Sequence, residues 1–197
     1  MIKRLPLIPT LVVAAAVATM IALGVWQLHR AEWKEQLLSQ YRAASTLPPI
    51  AFPTGPRVGD PPLYRWATGN CLRPVSSRAT AGQNRKGESG YVHIVQCATG
   101  AEGPGMAVEI GWSRDPKAKW QWPGGPVTGM IAPDRQNIIR LVADGAPAGL
   151  QPSAMPSTDT ISNNHRLYAV QWFLFAAIAL VIYVLALRRR TPAKPPA

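Results

Sequence analysis

The 197-residue chain has few of the residues from which catalytic and metal centres are usually built. It contains two cysteines, three histidines and ten acidic residues, and the acids are dispersed along the chain. It has no Walker-type phosphate loop, no G-x-S-x-G elbow, no H-E-x-x-H motif and no C-x-x-C pair. No motif therefore argues for a nucleotide hydrolase, a serine hydrolase, a zinc peptidase or a dithiol oxidoreductase, and we expect a protein that is not an enzyme.

Acidic residues are outnumbered two to one by basic ones, which gives a formal net charge of +11. Between the two ends of the chain the basic residues are scattered mostly singly and are not gathered with aromatic residues on one face, so we expect no nucleic-acid partner. Six of them lie close to the chain ends: Lys3, Arg4, Arg188, Arg189, Arg190 and Lys194. Residues 29–166 hold the other 15 basic residues and all ten acids, so much of the excess lies at the two ends.

Charge is absent from two long runs, one near each end. Leu5 to Leu28 is an uncharged run of 24 residues, and Leu167 to Leu187 is one of 21. At about 1.5 Å per helical residue, each run covers a hydrocarbon core of roughly 30 Å. The basic residues outside the runs predict that both termini are cytoplasmic. We therefore expect a two-span protein of the bacterial inner membrane, with residues 29–166 in the periplasm; in a mitochondrion the same residues would lie in the intermembrane space.

A cleaved signal peptide is the competing interpretation of the first run. Lys3 and Arg4 supply a basic start, and Ala16-Val17-Ala18 resembles a small-residue cleavage site. Ten more uncharged residues follow that site, which a signal peptide does not need. The continuation favours a retained span.

The predicted fold class is membrane α+β, with two transmembrane helices flanking a mostly antiparallel β domain. Bulky residues Trp26, Trp33, Leu37 and Tyr41 recur at helical spacing beyond the first run, and prolines follow from Pro48. The predicted segments are a cytoplasmic N-terminus (1–8), a first transmembrane helix (9–28) continuing as helix to about 42, a periplasmic β-rich domain (43–162), a second transmembrane helix (163–187) and a basic cytoplasmic tail (188–197).

Short apolar runs separated by glycine and proline predict an antiparallel sheet or a small barrel. The run from Gly145 to Thr160 is poor in bulky apolar residues, and we expect a loop there. The predicted strands are Leu63–Thr68, Cys71–Val75, Tyr91–Ala98, Met106–Trp112, Val127–Ile131 and Asn137–Val142.

The two cysteines, Cys71 and Cys97, fall in two predicted strands. In an oxidising periplasm such a pair most often forms a disulfide, which we favour. Free buried thiols and copper ligation are the alternatives, because thiolates suit Cu(I) and His93 lies four residues before Cys97. In an extended strand that offset corresponds to about 13 Å, too far for one ion.

An aromatic stripe with a histidine at its top marks the second span. His165, Tyr168, Trp172 and Phe175 are three, four and three residues apart, which places them on one face of a helix. His29 lies at the corresponding end of the first span. A planar iron-bearing ligand such as haem would find a nitrogen ligand and aromatic walls there. Aromatic residues also concentrate at membrane interfaces as simple anchors, and a rim histidine can simply bond a headgroup.

Three neighbouring polar or small residues have ordinary structural interpretations. Asn163 and Asn164 are typical of a helix N-terminus, where they cap free N–H groups. Gly24 permits close helix approach, and Gln27 is a polar group able to hydrogen-bond across helices.

Two motifs at the span edges resemble the surfeit locus protein 1 family of cytochrome c oxidase assembly proteins. The first is Leu23-Gly24-x-Trp26-Gln27-Leu28-x-Arg30-x-x-Trp33-Lys34-x-x-Leu37, and the second is Asn163-Asn164-His165-x-x-Tyr168-Ala169-x-x-Trp172-Phe173. Between them the likeness is weaker: where the family commonly has Asn-Arg-Gly-Trp, this chain has Glu109-Ile110-Gly111-Trp112 and keeps only Gly-Trp.

The resemblance implies an assembly factor for an aa-type haem-copper oxidase that binds haem a and helps to insert it into oxidase subunit I. His165 is then the candidate iron ligand, and Trp26, Gln27, Tyr168 and Trp172 are candidate pocket residues. Implied partners are subunit I, other oxidase assembly factors and the lipid bilayer. Two alternatives stay open: a scaffold that holds immature oxidase subunits without haem, and a quinol- or haem-linked redox enzyme.

Overall fold

The computed structural model describes residues 6–55, 59–100 and 105–189. Lys3, Arg4, Arg190 and Lys194 of the predicted flanks lie outside these residues. The chain divides into a helical unit, formed by the residues up to Leu37 and from Ser162 onward, and a β unit, Leu38–Ile161. The elements are α1 (Leu7–Ala44), β1 (Ile50–Ala51), β2 (Trp66–Cys71), β3 (Arg73–Gln83), β4 (Ser89–Ala98), β5 (Met106–Ser113), β6 (Gly125–Asp134), β7 (Ile138–Ala143), a 3-10 turn (Thr158–Thr160) and α2 (His165–Arg189).

Helix α1 begins two residues before the predicted Pro9 and ends two residues after the predicted 42. Pro9 is tolerated because it lies in the first turn, where backbone N–H groups have no partner within the helix. The N–H of Thr10 donates to the Pro6 carbonyl at 3.0 Å and so closes the first turn. Pro48 and Pro49 then keep the chain extended beyond the end of the helix.

Helix α2 begins at His165, two residues later than predicted, and Asn163 and Asn164 lie before its first residue. The Asn164 carbonyl accepts a hydrogen bond from the N–H of Tyr168 at 3.2 Å, which makes Asn164 the cap position. Arg188 and Arg189 occupy the last turn, where positive charge is favoured by the helix dipole. Both helices are long and apolar enough to cross a membrane.

The two helices pair in antiparallel fashion within the helical unit. The Thr10 and Tyr183 hydroxyls are hydrogen-bonded near the start of α1 and the end of α2. Gln27 contacts His165 at the opposite end of the pair. Along α1, one series of less exposed positions recurs at alternating spacings of three and four residues, which is the pattern of a left-handed helix pair: Thr10, Val13, Val17, Met20, Gly24, Gln27, Ala31 and Lys34.

Small residues line the contact between the helices. Gly24 and Ala31 of α1 are buried, as are Ala169 and Ala176 of α2. A Cβ added at Gly24 would lie 2.6 Å from the Phe173 ring, well inside van der Waals contact. The glycine therefore allows the Phe173 ring to pack against the α1 backbone, as small residues do in membrane helix pairs.

The β unit contains one seven-stranded sheet in the order β1-β2-β6-β7-β5-β4-β3. The β1/β2 and β5/β7 pairs are parallel and the other four pairs are antiparallel. The sheet is thus mixed but mostly antiparallel. Its core is formed by buried apolar side chains from most of the strands, including Ala67, Val95, Val108, Ile110, Ile131, Ile139 and Leu141.

Contacts between strands that are not neighbours show that the sheet is strongly curled. Three strands separate β2 from β4, yet Cys71 and Cys97 form a disulfide with their Cα atoms 5.2 Å apart. Three strands also separate β6 from β3, yet Arg78 forms an ion pair with Asp134. The curl brings both pairs together, and the bonded sulfurs leave no thiolate for copper.

Several predicted strand limits are wrong. Leu63 and Tyr64 form a turn in which Tyr64 has φ +60°, so β2 starts only at Trp66. The strand predicted over Cys71–Val75 is two strands separated by a bend at Leu72, and β3 continues to Gln83. Small and polar residues in β3 carry no alternating apolar signal, yet they pair with β4 along its length.

The segment predicted as a loop, Gly145 to Thr160, is partly ordered by pairing. Gln151 forms a β-bridge with Trp112, and Ser153 forms one with Asn84. The 3-10 turn ends the segment. Strand β1 was not predicted at all, because it is only two residues long and follows two prolines.

The disulfide gives a first prediction. The full chain should show no reactive thiol when denatured without reductant, and two after reduction. Replacing both cysteines by alanine should lower the free energy of unfolding of the β unit by about 2–4 kcal/mol, because the bond closes a loop of 26 residues. Urea unfolding followed by tryptophan fluorescence measures the change. An unchanged midpoint in the double variant would contradict the expectation.

Candidate functional site

The first residue of α2, His165, contacts α1 through its imidazole. Its Nδ1 lies 2.7 Å from the side-chain carbonyl oxygen of Gln27. A carbonyl oxygen can only accept, so Nδ1 carries the proton and donates it to Gln27. The lone pair is then on Nε2. A histidine that binds a metal commonly has this arrangement, with one ring nitrogen donating to a protein oxygen and the other free to ligate.

Three further contacts join the start of α2 to the same face of α1. Asn163 Nδ2 donates to the Ala31 carbonyl at 3.2 Å. Lys34 Nζ donates to the Ser162 carbonyl at 2.6 Å. Arg166 and Glu35 form an ion pair at 2.7 Å. We call this set, with Gln27 and His165, the helix junction.

The geometry of the helix junction fixes the position of the histidine. Gln27, Ala31 and Lys34 are four and three residues apart, so their contacts follow one face of α1. His165 is thereby held between a cross-helix hydrogen bond of its own and the contacts of its neighbours. The Asn163 Oδ1 atom is buried and has no hydrogen-bond partner among the residues that the structure describes.

The residues of the predicted aromatic stripe differ in their exposure and in their contacts. Trp172, two turns after His165, is half-buried, and its ring meets that of Phe175 edge-on with centroids 6.2 Å apart. Tyr168 and Phe175 are 53% and 45% exposed, so they lie on the open flank of α2. Trp26, on α1, is likewise 54% exposed. The described contacts join His165 to Gln27 and Trp172 to Phe175, and not all five predicted residues to one another.

His29 takes no part in the helix junction. It lies two residues after Gln27, so it projects from nearly the opposite side of α1, and it is exposed. The structure therefore does not support a site with two histidines.

The roles of Lys34, Glu35 and Arg166 in the helix junction were not predicted from the sequence. A signal was available: Glu35 and Arg166 carry opposite charges just outside the two spans, and Lys34 is seven residues after Gln27, on the same helix face. To use this signal, one would have had to know that the two spans pair with each other.

The third histidine, His93, is buried in the β unit. Ser113 Oγ donates its proton to the Asp115 carbonyl at 2.6 Å, so it accepts from His93 Nε2 at 2.8 Å. Burial lowers the pKa of His93, and the nearby Asp115 carboxylate opposes that shift only partly. His93 is therefore a neutral core side chain held by a serine.

These features define a class: a protein with an antiparallel pair of long apolar helices, a curled β unit and one histidine held at the helix junction. The SURF1 family model matches residues 14–177 of the chain, which covers most of α1, the whole β unit and about half of α2, and the chain belongs to that family. This confirms the resemblance found in the sequence. The family is membrane-associated and is associated with cytochrome c oxidase assembly. No curated protein gives a significant match.

The contact between Gly24 and Phe173 gives a second prediction. Gly24→Val should destabilise the helix pair by about 1–3 kcal/mol, because its side chain would overlap the ring. Phe173→Ala in the same chain should recover part of that loss by making room. Thermal unfolding in detergent measures both variants. Val25→Leu, at an exposed neighbouring position, is the matched control and should change little; equal effects at the two positions would show that no ring contact is involved.

The buried His93 gives a third prediction. Its folded pKa lies below the ordinary 6.5, so below about that pH the unfolded chain binds the extra proton more readily than the folded chain. The free energy of unfolding should therefore fall as the pH is lowered from 7.5 to 5. His93→Gln should flatten this slope, whereas His29→Gln, at an exposed site, should retain it. Urea titrations at several pH values test the comparison, and an unchanged slope in His93→Gln would contradict it.

Proposed function

We propose that this protein is a non-enzymatic assembly factor of an aa-type cytochrome c oxidase, which holds haem a through His165 and aids its insertion into oxidase subunit I. Membership of the SURF1 family supports the role in oxidase assembly. The observation that carries the haem proposal is the hydrogen bond from His165 Nδ1 to Gln27, which leaves Nε2 as the free ligand atom.

Both helices are proposed to span the bacterial inner membrane, with both termini cytoplasmic and the β unit periplasmic. Only 11% and 6% of their most apolar windows are buried, so most of this apolar surface is uncovered by the described residues, which supports contact with lipid. The pairing of α1 with α2 supports a retained first span over a cleaved signal peptide. Arg188 and Arg189 lie at the proposed cytoplasmic end of α2.

The residues of the helix junction suit the proposed ligand. Gln27 fixes the imidazole tautomer and draws the Nδ1 proton, which makes Nε2 a better donor to iron. Trp172 is half-buried on the same face of α2, and Trp26 and Tyr168 present exposed aromatic surface at the same end of the helix pair. Haem supplies redox and oxygen chemistry once it is in the oxidase, whereas the residues here only bind and orient it.

The exposure of the flanking aromatics also suits transfer. A carrier must release its cargo, and Trp26 and Tyr168 are each more than half exposed. A partner helix could therefore approach the histidine through the membrane without separation of α1 from α2. The proposed partners are subunit I and other oxidase assembly factors, which would contact the uncovered apolar faces of the helices.

Purification from cells that make haem a tests the proposal. The wild-type protein should carry haem a, and His165→Leu, which offers no ligating atom, should lose at least about 90% of it in absorption spectra. Gln27→Ala should weaken haem retention by about 10- to 100-fold, because the hydrogen bond that orients the imidazole is lost. His29→Leu is the matched control, a histidine at the same end of the helix pair but facing away, and should keep its haem.

The same preparations separate the alternatives. An unchanged haem content in His165→Leu would remove that residue from the role of iron ligand. Copurification of subunit I with wild-type protein that contains no haem would instead support the scaffold without haem.

A further inference from the structure

Three arginines line an open cleft of about 610 Å³ in the β unit. They come from three parts of the curled sheet: Arg78 from β3, Arg135 from the turn after β6, and Arg140 from β7. Thr80, Ala81, Pro133 and Asp134 complete the lining.

A single carboxylate holds two of the arginines side by side. Arg78 Nη2 donates to both oxygens of Asp134, at 2.7 and 2.8 Å. Arg140 Nη1 lies 3.7 Å from the Oδ1 atom of the same carboxylate. Arg140 Nε donates in turn to Glu109 at 2.7 Å. The two guanidinium groups are thus fixed close together, in the orientation that the curled sheet imposes.

The Asp134 carboxylate accepts several hydrogen bonds within this network. Besides Arg78, Asp134 Oδ2 accepts from the N–H of Gln136 and from both the N–H and the Nδ2 of Asn137. Burial would raise the pKa of Asp134, but the hydrogen bonds from Asn137 and Arg78 outweigh it and hold that pKa below its ordinary value. The side chains of Asp134 and Glu109 are only 3% exposed, so neither is open to further donors.

The three arginines, by contrast, have more N–H donors than these carboxylates accept. Within residues 6–55, 59–100 and 105–189, no group accepts from Nε or Nη1 of Arg78, from Nη2 of Arg140 or from any nitrogen of Arg135. Three arginines against the carboxylates of Asp134 and Glu109 also leave one net positive charge. Unused planar donors beside an open volume match the shape and charge of an oxyanion.

We propose that this cleft binds an oxyanion, a phosphate or carboxylate group, between Arg78, Arg135 and Arg140. Ion pairing within the sheet accounts for Asp134 and Glu109, but it uses neither Arg135 nor the remaining donors of the other two arginines. Arg135 is exposed and lines the cleft, so its guanidinium group can contact an anion bound there. The site is independent of the proposed haem ligand, because all its residues belong to the β unit.

Calorimetric titration of the solubilised full chain tests this site. The probes are inorganic phosphate and succinate, added separately at an ionic strength held constant with sodium chloride. We expect saturable binding of at least one probe, and the stronger of the two identifies the anion as phosphate-like or carboxylate-like. Arg135→Gln should weaken that binding at least fivefold, while the ion pairs of Arg78 and Arg140 stay in place.

Arg114→Gln is the matched control, because Arg114 is a highly exposed arginine of the same unit outside the cleft. It should retain the wild-type affinity within about twofold, because solvent and salt screen the charge of an exposed arginine that does not line the cleft. Absence of saturable binding for both anions would overturn the proposal. Unchanged affinity in Arg135→Gln, or an equal loss in Arg114→Gln, would also overturn it.

Discussion

The antiparallel pairing of α1 with α2 is the contact on which the candidate site depends. His165 and Gln27 are 138 positions apart in the chain, and only the pairing of the helices brings their side chains within hydrogen-bond distance. Gly24 allows that approach because any side chain there would meet the Phe173 ring. The polar contacts at the end of the pair then fix the tautomer of a single histidine, which is the chemical property that a ligand site requires.

The family assignment and the site geometry support different parts of the functional conclusion. The SURF1 match spans residues 14–177, so it accounts for the helices and the β unit together and connects the chain with oxidase assembly. The family match does not identify a ligand atom. The proposed ligand atom follows from the hydrogen bond of His165, which leaves its Nε2 free at the edge of the apolar helix pair. The proposal of haem binding rests on these two observations jointly.

The curl of the sheet has the corresponding role in the β unit. It brings β2 against β4 and β6 against β3, although three strands separate the members of each pair. At one contact the result is the disulfide of Cys71 and Cys97, and at the other it is the ion pair of Arg78 and Asp134. The arginine cleft follows from the second contact. Charged groups of opposite sign pair with one another there, yet they leave donors without an acceptor among the residues that the structure describes.

The sequence by itself determined the features that depend on neighbouring residues. The uncharged runs predict the apolar helices because span length and hydropathy are local, and the spacing from Trp26 to Tyr41 predicts the extension of α1. The short apolar runs predict a mostly antiparallel sheet. They do not predict the length of β3, because its residues lack an apolar alternation. Only the tertiary structure decided that His165 meets Gln27 while His29 faces away, and that three arginines share one cleft. These are contacts between distant segments, which side-chain periodicity within one segment cannot specify.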